Sequence, residues 1–305
     1  MNKKVYWYID DVIWPFRDIA RDRPASIFDQ HLLKLLKELH DKYGFKVALN
    51  SFYRTDYAYG DEEFTLADMP DTYKAEWEAN SDWLKIGYHS KQEFPDYPLI
   101  NISYDDMKNE YLRFEKEVTR FAGKNVLIES INPHWWPVSK EGCRALSDCG
   151  IKLISCTTGT IKDDDKDADL LPFGHAFRLF QNRKPESKIY NRAGVGVDIC
   201  SYNHLTEEES SQICGTFKTI YKEDTDIHFK YISNGVCLNS VPLEQIDERL
   251  ELAMGSEYVC CATHEQYAYP DYCNYQSDTR EKFIKACEML KENNYEYFFV
   301  DECLK

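Results

Sequence analysis

The most informative stretch of this sequence is Val5-Tyr6-Trp7-Tyr8-Ile9-Asp10-Asp11. Its unbroken apolar and aromatic run is typical of a strand that is buried on both faces, as in a parallel sheet covered by helices. Two adjacent carboxylates follow the run directly. Because α/β proteins place their chemistry at the carboxyl ends of parallel strands, this stretch predicts the first core strand and the first part of a functional site.

Downstream of this stretch, short apolar segments alternate with amphipathic helical ones. The other predicted strands are 45–52, 83–88, 125–131, 151–156, 194–200, 228–233, 258–263 and 295–300. The predicted helices are 28–43, 103–121, 139–149, 243–254 and 279–293. Such alternation indicates a parallel α/β sheet, and this number of units favours a closed or partly closed barrel over an open doubly wound sheet. Since no linker or repeat interrupts the order, we expect one domain over residues 1–305, with an irregular insertion around residues 157–193.

Composition excludes several classes of function. The 305 residues carry 37 Lys+Arg against 53 Asp+Glu, a net charge of -16, which disfavours phosphate-backbone binding and adsorption to anionic membranes. No apolar run is long enough to span a bilayer, and the amino terminus does not resemble a secretory signal. The 11 cysteines form no disulfide framework. We therefore expect a cytoplasmic protein that binds neither nucleic acid nor membrane.

Polar residues capable of chemistry follow several of the predicted strands. Besides the Asp pair, these strand-end segments are His89-Ser90-Lys91-Gln92-Glu93, Asn132-Pro133-His134-Trp135-Trp136, Asp198 and His264-Glu265. The chain has only 8 histidines, so their concentration at strand ends exceeds scatter. We predict a site where these segments meet.

The pair Asp10-Asp11 is electrostatically unfavourable unless a cation lies beside it. One carboxylate could ligate a divalent ion while the other accepts a proton from a water whose pKa the ion lowers. The alternative is that one Asp caps a helix or loop and its neighbour is solvated. His89 and Glu93 are four residues apart and would point the same way if the loop turned helically. Asp11, His89 and Glu93 thus form a predicted metal site, suited to zinc or to a harder ion such as manganese or iron.

His264 follows the strand at 258–263, where it could protonate a leaving group or hold an oxyanion; a buried structural histidine is the alternative. Aromatic rings after the strands fit sugar faces, although they could equally cap the end of a barrel. The predicted substrate-binding residues are His134, Trp135, Trp136, Asp198, Glu265 and Tyr267.

The order of these motifs resembles the polysaccharide deacetylase family, within the wider glycoside hydrolase/deacetylase fold. The motifs are Tyr8-Ile9-Asp10-Asp11, Gly87-Tyr88-His89-Ser90-x-x-Glu93, Pro133-His134-Trp135 and Thr263-His264-Glu265. The resemblance implies a distorted (β/α)7 TIM-like barrel and metal-dependent hydrolysis of an acetamide or ester on an N-acetylated carbohydrate, a carbon–nitrogen bond other than a peptide bond. It also implies that Asp10 is the catalytic base, Asp11 and His89 are metal ligands, and His264 assists the leaving group.

Three positions depart from the family pattern. Val12 replaces a glycine, Glu93 replaces the second metal-binding histidine, and Asn132-Pro133-His134 stands where an arginine is expected. Zinc is the first expectation for the cofactor, with manganese, iron, cobalt or nickel as alternatives, and the substrate is expected to be a small molecule or oligosaccharide. Two other functions stay open: a catalytically silent glycan-binding barrel, and a glycosidase that uses Asp10 and Glu265.

Overall fold

The computed structural model describes residues 3–56, 62–94, 98–99, 102–135, 138–157, 188–190, 196–198, 219–224, 227–232, 236–255 and 258–304. The strands are β1 Lys4–Val12, β2 Val47–Phe52, β3 Leu84–Ser90, β4 Ser130–Ile131, β5 Leu153–Thr157, β6 Lys188–Tyr190, β7 Gly196–Asp198, β8 Thr219–Asp224, β9 Ile227–Ile232, β10 Val236–Cys237, β11 Tyr258–His264 and β12 Glu296–Tyr297. The helices are α1 Trp14–Asp22, α2 His31–Tyr43, α3 Lys74–Ala79, α4 Tyr104–Phe121, α5 Lys140–Asp148, α6 Ile246–Ala253 and α7 Thr279–Glu292. The chain therefore has a mixed α/β fold.

The central sheet is parallel and has β1 in its middle. Its strand order is β10-β11-β1-β2-β3, and β12 also pairs with β1. A second sheet, ordered β4-β5-β9-β8, is parallel except for the β8–β9 pair. A parallel bridge between Ile86 and Leu127 connects the β3 edge to the segment that leads into β4. The carboxyl ends of β1, β3 and β4 consequently lie close to one another.

Strand β1 is buried along both faces, as its sequence predicts. Val5, Trp7 and Ile9 belong to the large core shared with the helices. Tyr6 and Tyr8 point the other way, into a second cluster that includes Phe298. This arrangement explains why β1 shows a continuous apolar run and no alternation with polar residues. Asp10, two residues after Tyr8, is the next residue on this face of the strand.

Two long predicted helices are present with clear ends. Helix α2 begins where the Gln30 side chain accepts hydrogen bonds from the backbone N–H groups of Leu32 and Leu33. It ends at Gly44, whose φ of 72° suits a residue without a side chain. Helix α4 begins at Ser103, whose hydroxyl accepts from the Asp106 N–H. Helix α4 and the end of α2 agree with the sequence prediction, whereas α2 begins three residues later than predicted, after a 3-10 turn at Ile27–Asp29.

Several elements differ from the sequence prediction. The strand expected at residues 125–131 is only Ser130–Ile131 and is preceded by a 3-10 turn at Lys124–Val126. The closing strand expected at residues 295–300 is only Glu296–Tyr297 and is followed by a 3-10 turn at Val300–Leu304. Helix α1 was not predicted, since it has nine residues and its first N–H groups are capped by a residue far along the chain. The strand expected at residues 194–200 is Gly196–Asp198, which pairs antiparallel with Lys188–Tyr190 in a two-stranded sheet.

The expected insertion at residues 157–193 lies almost wholly outside the described residues, apart from Thr157 and the strand Lys188–Tyr190. Within the described part of the chain, none of the helices has the length and apolar character that a membrane span requires.

Candidate metal centre

A backbone irregularity turns both aspartates of β1 towards one site. In the pairing with β2, Ile9 faces Leu49 and Val12 faces Ser51, so β1 carries one extra residue over this interval. Asp11 takes up the extra residue with a left-handed φ of 61°. A bulge of this kind interrupts the alternation of side chains along a strand, and bulges are common beside active sites. The bulge explains how Asp10 and Asp11, which are adjacent in the sequence, can both be less than 10% exposed and lie at the same site.

His89 lies at a second irregularity, in β3. Ser51 pairs with Tyr88 whereas Phe52 pairs with Ser90, which leaves His89 as the extra residue. Its ring lies 5.3 Å from that of Phe52, which also packs edge-on against His134. Phe52 therefore packs against both imidazole rings.

Asp11, His89 and His134 bring one ligand atom each to a common point. The His89 Nε2 and His134 Nδ1 atoms lie 3.1 and 3.2 Å from Asp11 Oδ1, and 3.1 Å from each other. All three residues are buried, and together they form a group that could hold a metal ion. Two ligand atoms about 2.1 Å from one ion, at angles of about 90–109°, are separated by about 3.0–3.4 Å. The observed triangle fits that requirement.

The outer nitrogens of both imidazoles are bound to backbone carbonyls. His89 Nδ1 contacts the Asn132 carbonyl, and His134 Nε2 lies 3.0 Å from the Glu93 carbonyl. A carbonyl oxygen only accepts, so these nitrogens carry the protons and the inner nitrogens present lone pairs. Three acceptor atoms then face one another at about 3 Å, which is unfavourable until a cation or a proton lies between them. Anchored outer nitrogens are also characteristic of metal-binding histidines.

The electrostatics of Asp11 favour its charged form. Burial by itself would raise the pKa of Asp11, but hydrogen bonds from His134 and His89, when their inner nitrogens also carry a proton in place of a cation, and the nearby charge of His264 hold the pKa well below its usual range. Asp11 is therefore an ionised carboxylate, as a metal ligand must be.

Asp10 lies beside this triangle and is bound by amides. Its Oδ1 accepts hydrogen bonds from Asn50 Nδ2 at 2.7 Å and from Asn132 Nδ2 at 2.8 Å. Its Oδ2 accepts from Asn132 Nδ2 at 2.7 Å. The predicted catalytic base thus has a fixed orientation next to the candidate metal ligands.

His264, at the end of β11, faces Asp11 from the opposite side. Its Nε2 lies 4.0 Å from Asp11 Oδ2, and its Nδ1 lies 3.1 Å from Asn239 Oδ1. Burial disfavours the charged imidazole, but the contact with Cys237 and the Asp11 carboxylate outweigh it and raise the pKa of His264 to about 10. With its side chain 36% exposed, His264 is positioned between the site and solvent.

Glu93 and Glu265 each make a contact that the sequence does not predict. The Glu93 side chain is outside the ligand group, and the residue reaches the site through its backbone carbonyl, because its loop passes His134. Glu265 Oε1 accepts hydrogen bonds from the N–H groups of Ile13 and Trp14, both at 2.8 Å. Glu265 therefore caps helix α1, and burial raises its pKa well above the usual value.

The predicted substrate residues are dispersed. Tyr267 lies with its ring centre 6.2 Å from that of His264, and Trp135 lies 5.6 Å from His134. Trp135 directly follows His134 and has a φ of 61°, a left-handed conformation that is strained for a residue with a side chain. Trp136 lies outside the described residues. Asp198 ends β7 of the two-stranded sheet and is not part of either larger sheet, so its role in substrate binding stays a prediction.

Sequence analysis missed Asn50 and Asn239, and it assigned His134 to the substrate. Asn50 lies inside a strand, where an amide at the end of an apolar run was the only signal. Asn239 follows the short strand β10, which the sequence pattern did not predict.

No model of a known protein family and no curated protein matches the sequence. Solved structures do resemble the fold. One is 4-alpha-glucanotransferase from Thermococcus litoralis, with a TM-score of 0.51 and 11% identity over 100% of this chain. The chain spans 40% of the length of that glucanotransferase.

Two further similar structures are of carbohydrate-modifying proteins. The family 4 acetyl xylan esterase from Clostridium thermocellum, in complex with a cobalt ion, has a TM-score of 0.43 and 13% identity, covering 98% of this chain and 89% of the esterase. A Mycobacterium smegmatis protein described as a polysaccharide deacetylase has a TM-score of 0.49 and 10% identity, covering 99% of this chain and 90% of its own. At such identities, similarity concerns the fold alone.

Proposed function

We propose that this chain is a metal-dependent hydrolase that removes an acyl group from the acetamide or ester of a carbohydrate. One observation carries the proposal: three buried ligand atoms of Asp11, His89 and His134 converge at 3.1–3.2 Å while both outer imidazole nitrogens are bound to carbonyls. A purely structural core gains nothing from three mutually facing acceptors. A divalent cation removes that conflict.

The residues around the triangle support hydrolysis. A bound cation would supply Lewis acidity and a water molecule of lowered pKa. Asp10, oriented by its amide partners, would accept the proton of the attacking water. His264 Nε2, on the other side of Asp11, would donate a proton to the departing amine or alcohol. The two proton-transfer groups therefore flank the proposed ion.

Two imidazole nitrogens and one carboxylate oxygen suit zinc best among the ions considered, with manganese, iron, cobalt and nickel as alternatives. Three protein ligands leave at least one coordination position for water or substrate, as catalytic zinc sites do. The predicted third ligand, Glu93, is replaced by His134 in this proposal. His134 follows β4, and its Nδ1 lies 3.1 Å from His89 Nε2 and 3.2 Å from Asp11 Oδ1.

Trp135 and Tyr267 support a sugar as substrate. Both rings lie against histidines of the site, Trp135 against His134 and Tyr267 against His264. Aromatic faces bind the apolar faces of sugars while hydroxyl groups bind polar neighbours. We propose Trp136 and Asp198 as further contacts on the strength of the sequence alone.

The proposed architecture is a single domain in which the two parallel sheets continue into a distorted (β/α)7 barrel. The bridge between the β3 edge and the segment before β4 supports continuity at one junction. A barrel would place Asp11, His89, His134 and His264 around one opening, as their contacts require.

The glycosidase alternative needs a second free carboxylate, and Glu265 does not provide one. Its Oε1 caps helix α1 through two N–H groups, and the residue is 1% exposed. A silent glycan-binding protein would not need the convergent ligand triangle. The hydrolase therefore accounts for more of the observed contacts.

Metal content and acetate release test the proposal. We expect the purified protein to contain close to one equivalent of a divalent transition metal, and to release acetate from N-acetylated or O-acetylated oligosaccharides. A chelator should abolish the release, and added zinc or cobalt should restore it. The variant His134→Ala should lose both metal and activity, because it removes a ligand.

A matched control is His40→Gln. His40 lies at the other end of β2, where its Nδ1 contacts the Phe45 carbonyl and its ring stacks on Trp83. This variant should keep its metal and its activity. Glycan binding by a protein that takes up no metal and releases no acetate would overturn the hydrolase and favour the silent binding protein.

A further inference from the structure

Two buried amides hold the Asp10 carboxylate. Asn50 belongs to β2 and Asn132 directly follows β4, so the two amides come from the two larger sheets. Asp10, Asn50 and Asn132 are 5%, 3% and 4% exposed. Hydrogen bonds of 2.7–2.8 Å in such a place are shielded from water and hold the plane of the carboxylate firmly.

No lysine or arginine forms an ion pair with Asp10 in the part of the chain that the structure describes. Among the described residues, His89 Nδ1 lies 4.0 Å from Asp10 Oδ1, and that nitrogen contacts the Asn132 carbonyl. Neutral amide donors therefore replace a cation as the partners of this buried carboxylate. Of its lone pairs, the two on Oδ1 are used by Asn50 and Asn132, and one on Oδ2 is used by Asn132. With respect to the described residues, the second lone pair of Oδ2 is left as the acceptor.

Asn132 connects the proposed base to the proposed metal ligand. Its side chain donates to both oxygens of Asp10, and its backbone carbonyl accepts from His89 Nδ1. A single residue thus sets the orientation of one group through its side chain and of the other through its main chain. A substitution at position 132 removes the first contact and leaves the second.

Gly87 provides the room for Asn50. A Cβ atom at Gly87 would lie 2.9 Å from Asn50 Oδ1 and 3.0 Å from Ile128 Cγ2. A side chain at position 87 would therefore displace the Asn50 amide from the position in which its Nδ2 reaches Asp10. The packing of the neighbouring strand therefore fixes the first amide.

We propose that Asn132, assisted by Asn50, is a positioning residue that directs the remaining Oδ2 lone pair of Asp10 towards the attacking water and couples that orientation to His89. The inference rests on the proposed hydrolase function. It assigns to a pair of amides the task of holding the base.

The kinetic test uses Asn132→Ala, Asp10→Ala and the double variant. Asn132→Ala should lower kcat about 10–100-fold, the usual cost of losing an outer-shell contact. Its zinc affinity should stay within about threefold of the wild type, because the carbonyl that binds His89 is retained. In the Asp10→Ala background, adding Asn132→Ala should not lower kcat further, since residues that act as one unit are not additive.

The control Asn80→Ala separates positioning from general structure. The Asn80 amide donates to the Glu76 carbonyl at the far end of α3. Its loss should lower the Tm and leave kcat unchanged. Unchanged kcat in Asn132→Ala, or a kcat loss that adds fully to that of Asp10→Ala, would overturn the inference.

A thermal cycle keeps the inference testable if the protein hydrolyses no acetylated sugar. Measured on the chelator-treated protein, Asn132→Ala should lower the Tm by about 3 °C or more when Asp10 is present, and by clearly less in the Asp10→Ala background. Equal shifts in both backgrounds would show that the amide does not hold the carboxylate. This cycle tests the contact, whereas acetate release tests the proposed function.

Discussion

His134 is the residue whose role changes most once the side chains are placed. Its Nδ1 lies 3.2 Å from Asp11 Oδ1, whereas Glu93 contributes only its carbonyl, to His134 Nε2. We expect His134→Ala to weaken zinc binding by at least about 100-fold, because a direct ligand matters at least as much as an outer-shell partner. Glu93→Gln should change the affinity by less than about threefold. Competition with a chromophoric chelator measures both values.

The comparison of those two variants distinguishes two ligand sets. If Glu93→Gln abolished zinc binding while His134→Ala kept it, the set predicted from the sequence would be right and the observed triangle would not be the metal site. Glu93→Gln retains the backbone carbonyl and nearly the full volume of the side chain, so this variant and the wild type differ little in packing.

Asn239 fixes which nitrogen of His264 faces the site. Its Oδ1 lies 3.1 Å from His264 Nδ1, and the same oxygen accepts from Thr263 Oγ1 at 3.2 Å. We expect Asn239→Leu to release the ring, with a fall in kcat of about 10–100-fold and little change in metal content. Nitrogen-15 NMR of the imidazole at neutral pH should show both nitrogens protonated in the wild type, as a pKa of about 10 requires, and a partly neutral ring in the variant, which has lost the acceptor of the Nδ1 proton. A wild-type spectrum that already shows a neutral ring would argue against this role.

These residues show where sequence reasoning ends at the smallest scale. The sequence singles out Asp10, Asp11, His89 and His264 because each comes at the end of an apolar run. The position of His134 beside Asp11 could not be predicted in this way, because spacing along a chain does not report on which neighbouring loop aims a lone pair inward. The distance of 3.1 Å between His134 Nδ1 and His89 Nε2 is a property of the fold.

Among the elements, strand β1 has a bulge that places Asp11 in a strained backbone conformation. Asp11 has a φ of 61°, a conformation that costs a residue with a side chain about 1–2 kcal/mol. We therefore expect Asp11→Gly to be about 1 kcal/mol more stable than Asp11→Ala in denaturant unfolding, although both lose the carboxylate. Neither variant should bind metal. Equal stabilities would indicate that position 11 is not held in the left-handed conformation.

Helix α1 depends on a cap from a distant strand end. Glu265 Oε1 accepts from Ile13 and Trp14, and these N–H groups are otherwise left buried at the helix start. We expect Glu265→Ala to lower the free energy of unfolding by about 2 kcal/mol, from the lost cap and the unpaired donors. Glu265→Gln keeps the acceptor oxygen and should cost much less. Urea titrations at neutral pH measure both.

The same cap gives a prediction about pH. Burial raises the pKa of Glu265 well above its usual value, so above that usual value the folded protein retains a proton that the unfolded chain has lost. The contribution of Glu265 to stability is therefore complete at low pH and decreases as the pH rises towards the folded pKa. We expect the stability of Glu265→Gln relative to the wild type to increase from pH 4.5 to pH 7. A flat difference would mean that the carboxyl titrates normally.

Elements were predicted well where local pattern and packing agree. Helices α2 and α4 have long apolar stripes and local caps, and their ends were close to those expected. Helix α1 was missed since its cap comes from Glu265, about 250 residues away. The two bulges were invisible in the sequence, because an extra residue in a strand changes no apolar pattern and shows itself only in the pairing with β2.

For the whole molecule, the sequence predicted an alternating, mostly parallel α/β fold, and that prediction is confirmed. The site lies where the sheet containing β1 and β3 meets the segment after β4. Asp11 and His89 come from the first sheet, while His134 follows β4 of the second. A backbone hydrogen bond also connects the two sheets at this place: the His134 N–H donates to the His89 carbonyl at 3.1 Å. A metal ion at this place would therefore join two parts of the fold.

A metal ion that joins these two parts of the fold should stabilise the folded protein against unfolding. A ligand that binds only the folded state stabilises it by RT ln(1 + [L]/Kd), which is about 2.7 kcal/mol at 100 times Kd. We expect zinc or cobalt at that concentration to raise the Tm of the chelator-treated protein by several degrees, and to slow amide exchange in β3 and after β4. His134→Ala should show neither response, whereas His40→Gln should show both. A Tm that rises equally in all three proteins would reveal binding elsewhere on this acidic chain and would exclude the Asp11–His89–His134 triangle as the junction's metal site.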